Sequence, residues 1–274
     1  MKKALKKNLS FKLTNFFAVL IFFVIYSHNA DANIFLSHDI NTFGNLAAGI
    51  QEEKFAVNVA KYLTSDSATK DLLLFESNPG DPTRNFDHDV LNALFSAGFD
   101  VTVTPNYATP FSGYDAIFVA ENFPTVGFLD NNLLIDYANN GGGVYLAGGT
   151  GSHLIPSAPA TEAAGWDSFL NYYGLGFEDN YNGIFNVPIT SADPVFSGIT
   201  SLNSGNGQSI VDLGTNSKAR IIQTFQGENI YAKVDVDRTN AVPEPSSMFL
   251  LGSGILSSLV LKKNRKGASV KLGC

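Results

Sequence analysis

The sequence predicts an α/β protein: an open, mostly parallel sheet with helices on both faces and extra β segments toward the C-terminus. Three observations predict it. The runs LLLF (72–75), AIFV (116–119) and VYLA (144–147) are continuously apolar, as strands buried on both faces are, and lack the alternation of a half-exposed strand. Between them lie stretches whose apolar residues recur at helical spacing. Clusters of Asn, Gly and Pro punctuate the two kinds of segment.

The elements follow in order. Ile34-Phe35-Leu36 is a short apolar run. Gly49 to Leu63 is a helix, with Ile50, Phe55, Ala56, Val59, Ala60 and Leu63 on one stripe. Asp71 to Ser77 is a strand, closed by the turn Asn78-Pro79-Gly80-Asp81-Pro82. Asp87 to Ala97 is a short helix with Val90, Leu91, Leu94 and Phe95 on one face and Gly98 as its cap. Val101 to Thr104 and Tyr114 to Ala120 are strands, Asp130 to Ala138 a helix, and Gly143 to Ala147 the third central strand. Thr161 to Tyr173 is a helix carrying Trp166. Short β segments then appear at 184–187, 209–213, 219–224 and 230–234, expected to extend one edge of the sheet. Strands alternating with helices point to a doubly wound sheet of flavodoxin-like type. A β-sandwich would account for the second half but leaves the helices at 49–63, 87–97 and 161–173 unexplained.

Charge divides the chain of 274 residues into three. Residues 1–32 hold five Lys and one Asp, and residues 242–274 hold four Lys, one Arg and one Glu; the body between holds eight Lys/Arg against 23 Asp/Glu. So acidic a body is a poor partner for phosphate backbones, which argues against nucleic acid. The one cysteine, Cys274, excludes an internal disulfide framework and a Cys-rich zinc site.

Each basic end reads as an address. Lys2, Lys3, Lys6, Lys7 and Lys12 precede the apolar run Phe16 to Tyr26, and Ala30-Asp31-Ala32 offers small residues for signal peptidase, with cleavage expected before Asn33. As a helix that run reaches only about 16 Å, too short for a hydrocarbon core of about 30 Å. At the other end come Val242-Pro243-Glu244-Pro245, the uncharged stretch Ser246 to Leu261, and Lys262, Lys263, Arg265 and Lys266. The middle part is expected to be a transmembrane helix whose basic flank stays cytoplasmic, leaving the body outside. Three domains are therefore expected: signal peptide 1–32, exported α/β domain 33–241, and C-terminal tail 242–274.

The tail, with Pro243-Glu244-Pro245, apolar helix and basic cluster in that order, resembles the PEP-CTERM sorting signal of exported Gram-negative proteins. The resemblance covers 242–266; the extra Gly267 to Cys274 departs from it. It implies passage through the secretion machinery and inner membrane, transient anchoring by the C-terminal helix, and recognition by an exosortase that removes the tail near the motif. A cell-surface or extracellular destination in a biofilm matrix follows, with exopolysaccharide as a possible partner.

The body, over 71–224, resembles the class I glutamine amidotransferase-like superfamily, including its ThuA-like branch. The carriers are DLLLFES (71–77), YDAIFV (114–119), LLIDYANNGGGVYLAGG (133–149) and DPVFSGI (193–199). In active members of that superfamily the strand after the glycines enters a sharp turn holding a cysteine nucleophile. Here the turn reads Gly148-Gly149-Thr150-Gly151-Ser152, with Thr150 at the nucleophile's place, and Asp193 stands where the superfamily has a histidine before proline. A cysteine glutaminase needs a thiolate beside a base, and the body has no cysteine, so that chemistry is not expected.

The candidate ligand cleft lies where open α/β sheets place it, beyond the carboxyl ends of the strands. Glu76 and Asn78 follow one strand, Glu121 and Asn122 the next, and Gly149, Thr150, Ser152 and His153 a third. Together they suit a sugar or a cation; equally, polar residues belong where strands meet solvent. Glycine-rich backbone can cradle an anion, or simply turn tightly. Ser152 and His153 are chain neighbours that rarely face one another, and G-x-S-x-G is not matched. Asp87, His88 and Asp89 suit a helix N-terminus better than a metal. Glu178 to Gly183 offers hard oxygens for calcium without EF-hand spacing, and reads as a polar turn. Tyr172, Tyr173, Phe177 and Tyr181 fit stacking on sugars or a place in the core. No cofactor and no metal are expected. The readings left open are a non-catalytic exported domain that binds carbohydrate or another surface component, a secreted hydrolase using carboxylates or a metal in the cleft, and a structural matrix protein.

Overall fold

A computed structural model describes residues 32–44, 49–65, 69–75, 86–119, 129–151 and 155–236. Within them a seven-stranded sheet runs in the order β10-β11-β1-β5-β4-β2-β3. The strands are β1 (Ala32–Ser37), β2 (Asp71–Phe75), β3 (Asp100–Thr104), β4 (Ala116–Val119), β5 (Gly143–Ala147), β10 (Ala219–Phe225) and β11 (Glu228–Val236). β1, β5, β4, β2 and β3 are mutually parallel, and β11 and β10 close the β1 edge as an antiparallel hairpin. The helices are α1 (Ile50–Thr64), α2 (His88–Ser96), α3 (Asn131–Asn139) and α4 (Ala158–Tyr172).

Strand periodicity sorts the core into two layers. Phe35, Leu72, Leu74, Phe118 and Tyr145 face α1 and α2; Ile34, Leu36, Leu73, Phe75, Ile117, Val144 and Leu146 face α3 and α4. Because both faces are covered, every residue of β1, β4 and β5 is buried, which is why the apolar runs show no alternation. Rings dominate the first layer: Phe35 stacks on Tyr145 with centroids 6.1 Å apart, and Phe55 stacks on Phe196 at 5.4 Å. Such pairs add about 0.5–1.5 kcal/mol each beyond area burial.

The mixed, mostly parallel architecture with helices on both faces agrees with the sequence reading, and the helices and central strands fall within three residues of their expected bounds. Three differences are informative. The apolar run Ile34–Leu36 is a strand of the sheet interior, flanked by β5 and β11. It takes the place that the flavodoxin order 2-1-3-4-5 gives to a strand following the last helix. After α4 the chain instead forms β6 (Leu175–Tyr181), which leaves the main sheet and pairs with β9 (Gln208–Asp212). Of the later β segments, only β10 and β11 extend the sheet edge, while β7 (Asn186–Pro188) pairs with β8 (Ser201–Asn203) apart from it. Finally, β1 begins at Ala32, on the removed side of the expected signal cut; its start is held by Asn33, whose amide donates to Tyr62 O and Ser65 Oγ, both at 2.7 Å.

No helix among the described residues is long and apolar enough to cross a membrane. The expected signal helix and C-terminal transmembrane helix both lie outside the described residues.

Candidate functional site

Two turns meet at the carboxyl ends of neighbouring strands: Ser37-His38-Asp39 after β1 and Gly148-Gly149-Thr150 after β5. Their backbones bond to each other, Gly148 N donating to Ser37 O at 2.9 Å and Ile40 N to Gly148 O at 2.9 Å. A third segment enters when Gln208 N donates to His38 O at 2.8 Å. Close approach requires glycine here. Gly149 has φ +69°, and a Cβ on it would lie 2.8 Å from Gly207 Cα. A Cβ on Gly207 would overlap the carbonyl oxygen of His38.

Thr150, at the expected nucleophile position, is 3% exposed. Its hydroxyl donates to Glu162 Oε1 at 2.7 Å, and its N–H to Glu162 Oε1 and Oε2 at 3.1 and 3.0 Å. Glu162 sits on the buried side of α4 and has no solvent exposure. Burial pushes its carboxyl up to about 7; hydrogen bonds from Thr150 and from the Gly151 amide pull it down, and Asp39 pushes it up further. The neighbouring Gly149 N–H donates to Gln208 Oε1 at 3.1 Å. The Gln208 amide in turn donates to Pro159 O at 2.9 Å and Glu178 O at 2.8 Å. Both backbone N–H groups of the Gly149-Thr150 turn are therefore engaged inside the protein.

Asp39 caps the 3-10 turn Ile40–Thr42, accepting from Asn41 N at 2.6 Å, and also accepts from Gly205 N. It is fully buried, which raises its carboxyl to about 7 against the pull of these bonds. Beside it, His38 is also fully buried, and desolvation lowers its imidazole to about 3. A neutral ring accepting at Nδ1 from the Asn182 amide at 3.1 Å fits that value. Nε2 is buried without a hydrogen-bond partner among the described residues. The same Asn182 amide reaches Ser209 Oγ at 3.2 Å, and Ser209 donates to Glu228 Oε2 at 2.6 Å. The result is a polar line, Glu228–Ser209–Asn182–His38, that runs from half-buried Glu228 to fully buried His38 at the carboxyl edge of β1.

Chemically the site holds two protonatable carboxyls and a neutral imidazole, all sealed from solvent. No group of three or more His, Cys, Asp or Glu stands ready to hold a metal among the described residues. The arrangement locks three segments together at the strand ends, where a ligand face would be supported from below.

Of the residues expected in the cleft, Gly149 and Thr150 are placed as above; Glu76, Asn78, Glu121, Asn122, Ser152 and His153 lie outside the described residues, as do Pro243, Glu244 and Pro245. The strands that precede Glu76 and Glu121 in the chain are adjacent and parallel, with Phe75 paired to Val119. Asp87 caps α2, accepting from Asp89 N at 2.7 Å. Glu178 to Tyr181 form the end of β6 rather than a turn or calcium loop, with an irregular register between Phe177 and Tyr181. Tyr173 and Phe177 are core residues, whereas Tyr172 is 56% exposed. Asp193 caps a 3-10 turn and pairs with Lys233 at 3.2 Å. The sequence reading missed His38, Asp39, Glu162 and Gln208. A signal existed for the first two, a polar pair directly after a buried strand; none marks Glu162 or Gln208.

Comparison with known proteins adds to this geometry at the tail. Residues 241–266 match the PEP-CTERM protein-sorting motif. The match coincides with the expected tail and leaves the body unassigned. No curated protein matches the chain. A solved structure titled "mmIFT52 N-terminal domain" aligns with 10% identity over 74% of this chain and 100% of its own, at a TM-score of 0.38, a level that carries no argument about fold or function. None of the three comparisons supports the amidotransferase-like resemblance of the body.

Proposed function

We propose that this chain is an exported protein, sorted by an exosortase through its C-terminal tail, whose α/β body works as a binding unit without turnover. The match over 241–266 carries the reading. In this account the secretion machinery takes the chain across the inner membrane behind its N-terminal signal. Lys262, Lys263, Arg265 and Lys266 hold the end of the tail on the cytoplasmic side. The exosortase cuts near Pro243-Glu244-Pro245 and frees the acidic body to the surface or matrix.

Two features argue against cysteine-type catalysis in the body. The segment 33–241 contains no cysteine, and Thr150, which the amidotransferase-like resemblance would put at the nucleophile's place, points its hydroxyl into a buried carboxyl group. A hydroxyl so held is a strut of the turn, out of reach of substrate. The rival reading, a hydrolase using Glu76 and Glu121, draws on the adjacency of β2 and β4. It requires that a Glu76→Gln/Glu121→Gln double variant lose a measurable hydrolytic activity.

Sorting is tested by replacing Pro243 and Glu244 with Ala and fractionating the cells. The expected result is a longer form retained in the inner membrane while the native chain is released. Equal release of both would refute the reading.

A further inference from the structure

The connection from β3 to β4, residues 105–115, crosses the sheet without a helix, and Tyr107, Phe111 and Tyr114 pack on the face covered by α3 and α4. Between this connection and α3 lies a cleft of about 500 Å3. Tyr107, Pro110, Phe111, Leu133 and Tyr137 supply its apolar lining, and Asp136 and Asn140 project from the same helix side.

The apolar lining is held in place from beneath. Tyr107 stacks on Phe75 with centroids 5.4 Å apart, and Phe111 meets Phe75 edge-on at 6.0 Å and Tyr137 edge-on at 5.5 Å. The Tyr137 hydroxyl donates to Tyr114 O at 3.0 Å, fixing that ring. Leu133 stays 56% exposed, an apolar side chain open to solvent at the mouth. The polar groups are few: Thr109 and Ser112 on the connection, the Asp136 carboxylate, which makes no hydrogen bond among the described residues, and Asn140, whose amide nitrogen is spent on Asp136 O at 2.7 Å and whose Oδ1 remains to accept. A pre-formed apolar cleft of about 300–1,000 Å3 with a few placed polar groups is the usual form of a small-ligand site.

Charge selects the ligand. Among the described residues of the lining Asp136 is the only charged one, and none is a Lys or Arg to meet an anion. The body around it is acidic, with eight Lys/Arg against 23 Asp/Glu over 33–241. A phosphate, a fatty carboxylate or a uronate would be repelled. A pyranose presents an apolar C–H face to rings and donor hydroxyls to a carboxylate and an amide oxygen, without needing a cation.

We propose that this cleft binds a neutral saccharide, with a sugar ring against Phe111 and Tyr137 and its hydroxyls donating to Asp136 and to Asn140 Oδ1. The proposal rests on the reading of the body as a binding unit and gives that unit a ligand class and a site separate from the strand ends.

The test uses the full chain in lipid nanodiscs, titrated calorimetrically and by saturation-transfer NMR with cellohexaose and chitohexaose, and with oligogalacturonate as the anionic probe. Saturable binding to at least one neutral oligosaccharide is expected, with none to oligogalacturonate. Phe111→Ala should weaken binding roughly tenfold or more, the equivalent of losing about 1.4 kcal/mol. Asp136→Ala/Asn140→Ala, both on exposed positions, should weaken it several-fold with the circular dichroism spectrum unchanged, so a folding defect in the Phe111 variant cannot decide the matter. No saturable binding to either neutral probe, preference for the anionic one, or full affinity in the Asp136/Asn140 variant would overturn the proposal. Turnover of a bound oligosaccharide would sink the non-catalytic reading and leave the cleft standing. Binding by unprocessed chain would support the cleft whatever becomes of the sorting reading.

Discussion

The hydroxyl of Thr150 donates to Oε1 of Glu162 across 2.7 Å, with Thr150 3% and Glu162 0% exposed. Two residues twelve positions apart thereby tie the turn after β5 to the N-terminal part of α4. Removing the carboxylate takes the Glu162 acceptor away from a buried hydroxyl and a buried amide, so Glu162→Ala should cost about 2–4 kcal/mol by chemical denaturation. Thr150→Val, which keeps the amide bond to the carboxylate, should cost about 1–2 kcal/mol. Equal, negligible effects would mean the pair is not buried as described.

Glu162 also predicts a pH dependence. Its carboxyl titrates at 4.5 when exposed and at about 7 in the folded chain. Below 4.5 both states hold the proton. As pH rises toward 7 the unfolded state releases it first, and stability falls by an amount on the order of 3 kcal/mol before levelling. Asp39, also raised to about 7, acts in the same direction. Glu162→Gln should flatten its share of that decline, measured as unfolding free energy between pH 4.5 and 7.5.

His38 acts with the opposite sign. Its imidazole falls from 6.5 to about 3 on folding, so the unfolded chain takes up a proton first as pH drops below 6.5. Stability from this group is full above 6.5 and is lost toward pH 3. His38→Asn keeps an acceptor near Asn182 and removes the titration, and should lessen acid sensitivity in that window. An unchanged acid limb would show that His38 is not buried neutral.

Lys233 is 5% exposed and is held by Asp193 at 3.2 Å, with its ammonium 3.8 Å from the centre of the Tyr62 ring. Asp193→Ala strands a buried cation and should cost about 3–5 kcal/mol, whereas Lys233→Met/Asp193→Leu together should cost much less. Equal costs for the two variants would argue against a buried pair.

The central sheet was legible because both its faces are covered: LLLF, AIFV and VYLA have nowhere polar to point. β6 was not. Glu178, Asp179 and Asn180 are exposed on a strand whose register with β9 is irregular there, so their composition reads as a turn. The Ile34–Leu36 run was visible, but its place inside the sheet was not, since that depends on pairing with β11 almost two hundred residues later. At the site, the tight glycine turn at 148–149 was legible from its residues. Glu162 was hidden because a glutamate on a helix ordinarily faces water; only the fold brings Thr150 over it. Gln208 was hidden for the same reason, having no local pattern that marks a residue bonded to two distant carbonyls. The sorting motif of the tail was legible, because its signal is a linear order of motif, apolar run and basic cluster rather than a folded surface.

The central claim is that the tail is removed near Pro243-Glu244-Pro245. Intact-mass spectrometry of the protein released by a host carrying an exosortase tests it directly. The account predicts a mature chain beginning at Asn33 and lacking everything beyond about Pro245, including Cys274. Released protein that retains Lys262 to Cys274 would contradict it.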